Sequence, residues 1–261
     1  MKMKIEALLL ILAALQQDHT AAAERLIYPL DMALNSVDDQ YKGCTEKMAA
    51  QVKTDYLKKE LQNSNDFKKV WQSGKKYIKH RKKKSSLDIL HELAMYAYTY
   101  PGNNETPKIF NKFNEDTRKG KENYRANTYN WYSLHFLLTD AIHILKNKQN
   151  KCFETFRGTN VTFNGQAFTS VRFGSFTSSS IYDDVAEKFG KLSCFEIQTC
   201  EGAYIAMYSM DHDEGEVLIP PYEVFNITRI KTKNEQNDLW CDTVYVLNST
   251  GVKSDLNCVA I

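Results

Sequence analysis

Three short segments in the C-terminal half of the chain carry residue types that chemistry needs. Phe156-Arg157-Gly158-Thr159 sets an arginine at the end of a predicted strand, just before a glycine. Phe173-Gly174-Ser175-Phe176-Thr177-Ser178-Ser179-Ser180 is a predicted strand running into a hydroxyl cluster. Glu214-Gly215-Glu216-Val217-Leu218-Ile219-Pro220-Pro221 places two acids at the mouth of an apolar strand. A guanidinium at a strand end can clamp phosphate oxygens bidentately. Hydroxyls at Ser178 to Ser180 can orient a carboxylate or bond an amide. In extended chain, residues i and i+2 face one side roughly 6–7 Å apart, so Glu214 and Glu216 are expected to share a cleft. Like charges at that range raise at least one pKa and attract cations. Together, the clamp, the hydroxyls and the acid pair suit a phosphorylated ligand that develops positive charge as it reacts.

Taken singly, each segment has an ordinary explanation. Arg157 is a salt-bridge partner, Ser178 to Ser180 cap the helical stretch at 181–190, and the two glutamates are solvated acids at a turn. Only the ordered combination is specific.

The elements that must position these residues follow from the periodicity. From about 44 to 147 the spacing is helical. Met48, Val52, Tyr56 and Leu61 share a face, as do Leu87, Leu90, Ala94 and Ala97. Ser85, three residues before Asp88, signals a helix start and Pro101-Gly102 a stop. A further helix is expected from about Trp131 to Lys146, with a polar connection over 101–128 holding a short helix at 108–115. From about 152, β-branched and aromatic runs predict strands at 152–156, 170–176, 193–199, 216–219, 222–230 and 240–247. The expected fold class is therefore α+β, a helical half packed on a mixed, mostly antiparallel β core.

Composition is that of a globular chain, with 43% hydrophobic and 25% charged residues in 261. Lys+Arg 34 against Asp+Glu 32 leaves +2, which is no footprint for a nucleic-acid partner. Residues 1–23 read as a secretory signal peptide. Lys2 and Lys4 precede the apolar stretch Ala7 to Leu15, and Ala21-Ala22-Ala23 offers small residues for cleavage. That stretch falls short of the about 20 residues a membrane helix needs. Residues 24–261 are expected to form one domain, helical over 24–150 and β over 151–261. No lipid-anchor tail follows Asp255, so a soluble secreted product without a membrane anchor is expected, and it is read as a monomer. Six cysteines outside the leader and no Cys-x-x-Cys predict three disulfides in an oxidising compartment. The sequons at Asn104, Asn160, Asn226 and Asn248 fit that route. Lys75 through Lys84 is the one strong charge block, a solvated helix end or a docking patch for acidic glycans or proteins.

Several chemistries lack their motifs. His91-Glu92 does not continue into H-E-x-x-H, and no G-x-S-x-G, phosphate loop or G-x-G-x-x-G occurs. His135 and His143 are expected to be structural.

Arg157, then Ser178 within Phe176-Thr177-Ser178-Ser179-Ser180, then Glu214-Gly215-Glu216 before Val-Leu-Ile-Pro-Pro, resembles the Arg…Ser…Glu-x-Glu signature of vertebrate ecto-mono-ADP-ribosyltransferases. The resemblance also takes in Tyr41-Lys42-Gly43-Cys44, Cys200-Glu201-Gly202-Ala203 and Asn257-Cys258. It implies a β core that binds NAD+ without a Rossmann motif and needs no metal. It implies that Arg157, with Gly158 beside it, holds the diphosphate and nearby ribose. Ser178 would support the nicotinamide ribose and Glu216, the acid stabilising positive charge as nicotinamide leaves. Glu214 would receive the acceptor arginine of a secreted or cell-surface protein. The alternatives are an NAD+ glycohydrolase with water as main acceptor and a secreted binding protein without catalysis. The resemblance also implies Cys44–Cys258 and Cys152–Cys200, which leaves Cys194 and Cys241 for a third, strand-to-strand bridge.

Overall fold

The structure is a computed structural model that describes residues 27–79 and 85–260. The signal-peptide reading of 1–23 and part of the lysine block lie outside those residues. Strand β1 (Ile27–Pro29) is followed by α1 (Thr45–Gln51), a π turn (Val52–Tyr56), α2 (Leu57–Asn63), α3 (Asn65–Lys79), α4 (Ile89–Thr99), α5 (Ile109–Lys119), α6 (Lys121–Arg125) and α7 (Tyr132–Gln149). The second half runs β2 (Phe153–Arg157), β3 (Thr162–Asn164), β4 (Ser170–Val171), β5 (Thr177–Ser180), α8 (Asp183–Glu187), β6 (Ser193–Thr199), β7 (Ala203–Tyr204), β8 (Glu216–Ile219), β9 (Glu223–Thr232) and β10 (Thr243–Val252).

The main sheet has the order β4-β9-β10-β6-β2-β5-β8-β7, parallel only between β6 and β10. The expected α+β class, with a mixed, mostly antiparallel β core, is what forms. Across the middle, β2 and β5 are joined by a single registered pair, Phe156↔Ser180. Beyond that pair the two strands part, and Arg157 and Ser178 stand on either side of the opening.

The helical and β halves share one core. Phe176, Ala203, Ile205, Tyr208 and Leu218 are buried in the same apolar cluster as the helices. Phe176 stacks on Phe113 with ring centroids 5.5 Å apart and meets His135 edge-on at 5.3 Å. A second cluster, around Phe195, Phe225, Ile227 and Leu247, covers other side chains of the sheet. All three disulfides form as expected, Cys44–Cys258, Cys152–Cys200 and Cys194–Cys241. The third ties β6 to the segment entering β10, since Cys241 precedes that strand.

Four local features differ from those expected. Asp88, not Ser85, caps α4, its Oδ1 accepting from Leu90 N at 2.9 Å and His91 N at 3.1 Å. The connection over 101–128 holds two helices, because Ile109, Phe113 and Thr117 form a buried stripe that its polar composition masks. The expected strand at 170–176 is interrupted. Arg172 turns inward to an ion pair with Asp38 at 2.7 Å, both side chains being almost fully buried, and Gly174 takes a left-handed φ of +69°. The hydroxyl cluster is therefore itself the strand β5. Finally, α8 is shorter than the stretch 181–190 and is capped by no serine, since its N-cap is Tyr182.

Candidate active site

All five sequence-predicted residues, Arg157, Gly158, Ser178, Glu214 and Glu216, line one cavity of about 60 Å³. Arg157 ends β2 where the sheet parts. Its Nη1 reaches across the opening to donate to the carbonyl of Ser178 at 2.6 Å. That bond spends one of the five guanidinium N–H groups. Burial pushes the Arg157 pKa down, and the nearby Arg118 charge adds to the fall, while Tyr98 and Glu216 oppose it. Among the described residues it makes no ion pair within 4.0 Å. A positive charge held there without a close counterion is electrostatically prepared for an anion. Gly158 has a packing reason to be glycine, since a Cβ would lie 2.3 Å from the Ala186 carbonyl oxygen and 2.4 Å from that of Gly190.

Glu216 opens β8 and is 5% exposed. In the β5–β8 register Ser178 faces Leu218, and Ser180 faces Glu216. Ser178 and Glu216 are thus diagonal neighbours on one face, within reach of a long side chain. Hydrogen bonds from Ser178 and Ser209 steady the Glu216 carboxylate. Burial raises its pKa, and those two bonds with the Arg157 charge act in the opposite direction. Glu214 is also raised, first by burial, then by the charges of Glu216 and Asp211. Lys108 and Lys188 oppose that rise.

The two acids share the cavity for a different reason from the one expected. Gly215 is not extended but left-handed, with φ +57°. The turn is pinned by Ser180 Oγ donating to the Glu214 carbonyl at 2.6 Å and Ile181 N donating to that of Gly215 at 3.1 Å. A Cβ at 215 would meet the Tyr182 ring at 2.6 Å. The sequence points to glycine here, but its role is to turn the chain.

Further residues complete the site without a signal in the sequence. Tyr98, buried in α4, donates from its hydroxyl to the Phe176 carbonyl at 3.0 Å, and Asn114 Nδ2 donates to the same carbonyl at 3.0 Å. Tyr98 also shares a hydrogen bond with Ser178, and burial pushes its pKa up to about 12. Arg118 Nη2 donates to Ser175 Oγ at 2.8 Å. Ser209 lies in the loop before the Glu-Gly-Glu turn, on no recognisable pattern. His135 and His143 are structural, as expected. His135 bonds Tyr41 and the Val37 carbonyl, and His143 bonds Tyr222. Among the described residues no group of three or more His, Cys, Asp or Glu is placed to hold a metal ion.

A deep guanidinium, a hydroxyl-braced buried carboxylate and a second, more open carboxylate can stabilise a cation forming beside a phosphate and receive a cationic nucleophile. Comparison with known proteins gives the same direction. The family described as NAD:arginine ADP-ribosyltransferase matches over residues 30–245. The chicken NAD(P)(+)–arginine ADP-ribosyltransferase 2 is 35% identical over 238 residues, 88% of this chain and 72% of its own. The rat T-cell ecto-ADP-ribosyltransferase 1 is 34% identical over 238 residues, 88% and 79% of the two chains. The crystal structure of the eukaryotic mono-ADP-ribosyltransferase ART2.2 superimposes with a TM-score of 0.73 at 32% identity, covering 88% of this chain and 98% of that one. A variant of that enzyme, solved in complex with NAD, gives a TM-score of 0.72.

Proposed function

This chain belongs to the NAD:arginine ADP-ribosyltransferase family, and from that premise we propose how its own residues perform arginine-directed mono-ADP-ribosylation with NAD+ as donor. Arg157 clamps the donor diphosphate with the N–H groups left free by Ser178. Gly158, without a side chain, lets the end of β2 run close against the Ala186 and Gly190 carbonyls beside that clamp. Ser178 and Ser209 hold the Glu216 carboxylate against the ribose that carries nicotinamide. As the glycosidic C–N bond breaks, its electron pair leaves with nicotinamide and positive charge grows on the ribose. Glu216 stabilises that charge from a site largely shut off from water, where electrostatics count most. Glu214, more exposed, pairs with the acceptor guanidinium and takes its proton as the new C–N bond forms.

The observation that carries this reading is the convergence of Arg157, Ser178, Glu214 and Glu216 on one cavity, with Glu216 the most buried of the acids there. The test is labelled NAD+ with agmatine as acceptor. Transfer should vanish in Glu216→Gln. In Glu214→Gln it should fall while NAD+ hydrolysis persists, and unchanged transfer in that variant overturns the acceptor assignment. Free ADP-ribose dominating under excess agmatine would instead make water the main acceptor.

The targets are proposed to be arginine-bearing proteins outside the cell. Three disulfides fit an oxidising compartment, and several relatives are named as ecto-enzymes.

A further inference from the structure

Helix α3 carries a feature that this reaction does not use. Its buried face is Phe67, Val70, Trp71 and Gly74. At about 100° per residue, Lys68, Lys69, Gln72, Lys75, Lys76 and Lys79 fall within one arc of about 120° on the other side. All six are exposed. With about 1.5 Å of rise per residue, Lys68 to Lys79 span about 16 Å. The acid of the first turn, Asp66, lies outside that arc. Among the described residues none of the five lysines makes an ion pair, and Lys69 only donates to the Glu105 carbonyl at 3.4 Å. Five charges on one helix face exceed the +2 of the entire chain, so the rest of the molecule is net negative. Neighbouring ammonium groups three and four residues apart repel and weaken the helix slightly, a cost that folding does not explain.

We propose that this stripe is a docking track for a linear sulfated polysaccharide. A polyanion with charges repeated along its length matches a row of mobile ammonium groups about 16 Å long. Lysines act as hydrated point charges, without the planar fork that selects a single carboxylate or phosphate. The helix's apolar face is packed into the core, so it cannot enter a bilayer as an amphipathic anchor does. The stripe holds no exposed large apolar side chain to anchor a protein partner. The disulfides point to an oxidising environment, where sulfated glycans supply such polyanions.

The test uses the full chain, a defined heparin oligosaccharide and titration calorimetry at several salt concentrations. The chain should bind, with affinity falling steeply as salt rises. Lys68→Gln/Lys75→Gln/Lys76→Gln/Lys79→Gln together should weaken binding about tenfold or more and flatten the salt dependence. Transfer to agmatine should be unchanged in that variant, and desulfated heparin should not bind. A control set, Lys53→Gln/Lys58→Gln/Lys112→Gln/Lys119→Gln, should keep most of the affinity. Absence of heparin binding, equal loss in the control set, or preference for phosphatidylserine vesicles over heparin would overturn the proposal.

Discussion

In the proposed mechanism Glu216 must be charged to stabilise a cation, yet burial favours its neutral form. A group with a raised pKa loses its charge earlier as the solution is acidified. The acidic limb of transfer activity should therefore lie above the ordinary carboxylate range, with kcat/KM falling as pH drops through it. Ser178→Ala removes a bond that favours the carboxylate. That limb should move to higher pH, and the rate at its plateau should fall roughly tenfold to a hundredfold. A pH profile with agmatine measures both effects, and an unmoved limb would separate Ser178 from Glu216. Most of the candidate site was legible at this scale because arginine, serine and paired glutamates advertise their chemistry. Ser209 and Tyr98 were not, because a lone serine in a loop and a tyrosine inside a helix have many uses and acquire this one only through tertiary contact.

Among the elements, the strand boundaries that sequence reading found are those whose β-branched and aromatic residues face the core, such as β6 and β8. Where it failed, a long-range partner overrode local preference. Arg172 leaves its strand to meet Asp38, and the stripe of α5, only Ile109, Phe113 and Thr117 wide, is thin enough for its polar neighbours to mask until the rest of the fold covers it. The start of α7 shows a similar dependence. Glu60 of α2 is buried, and both its oxygens accept from Ser133 N, at 3.0 and 3.2 Å. Burial raises its pKa to about 8. An acid with a raised native pKa favours the folded state fully below its unfolded value, and that contribution is lost as pH rises through the native one. Glu60 should thus make the protein less stable between about pH 4.5 and 8 as pH increases. Glu60→Gln should flatten that decline in urea melts taken across the window. A variant with the same slope as the parent would show that Glu60 does not cause it.

The whole molecule is closed by cross-links of very unequal reach. Cys44–Cys258 spans 214 residues, whereas Cys152–Cys200 and Cys194–Cys241 span 48 and 47. Chain entropy alone assigns about 5 kcal/mol to the longest loop and about 4 kcal/mol to each shorter one. Paired serine variants should therefore order by denaturation midpoint, with Cys44→Ser/Cys258→Ser the least stable. Equal midpoints for the three pairs would show that loop length does not govern their effect.

Asp38 accepts from the amides of Asp255 and Leu256, and Asp39 from that of Cys258. Arg172, paired with Asp38, also donates to the Lys253 carbonyl. A polypeptide delivered amino end first has Arg172, Tyr41 and Tyr124 for these early acids but lacks their C-terminal amide partners until synthesis has passed residue 258. Maturation waits on translation: nascent chains halted before 253 should remain open to proteases, and their retention by quality control would follow from missing amides rather than missing catalytic groups.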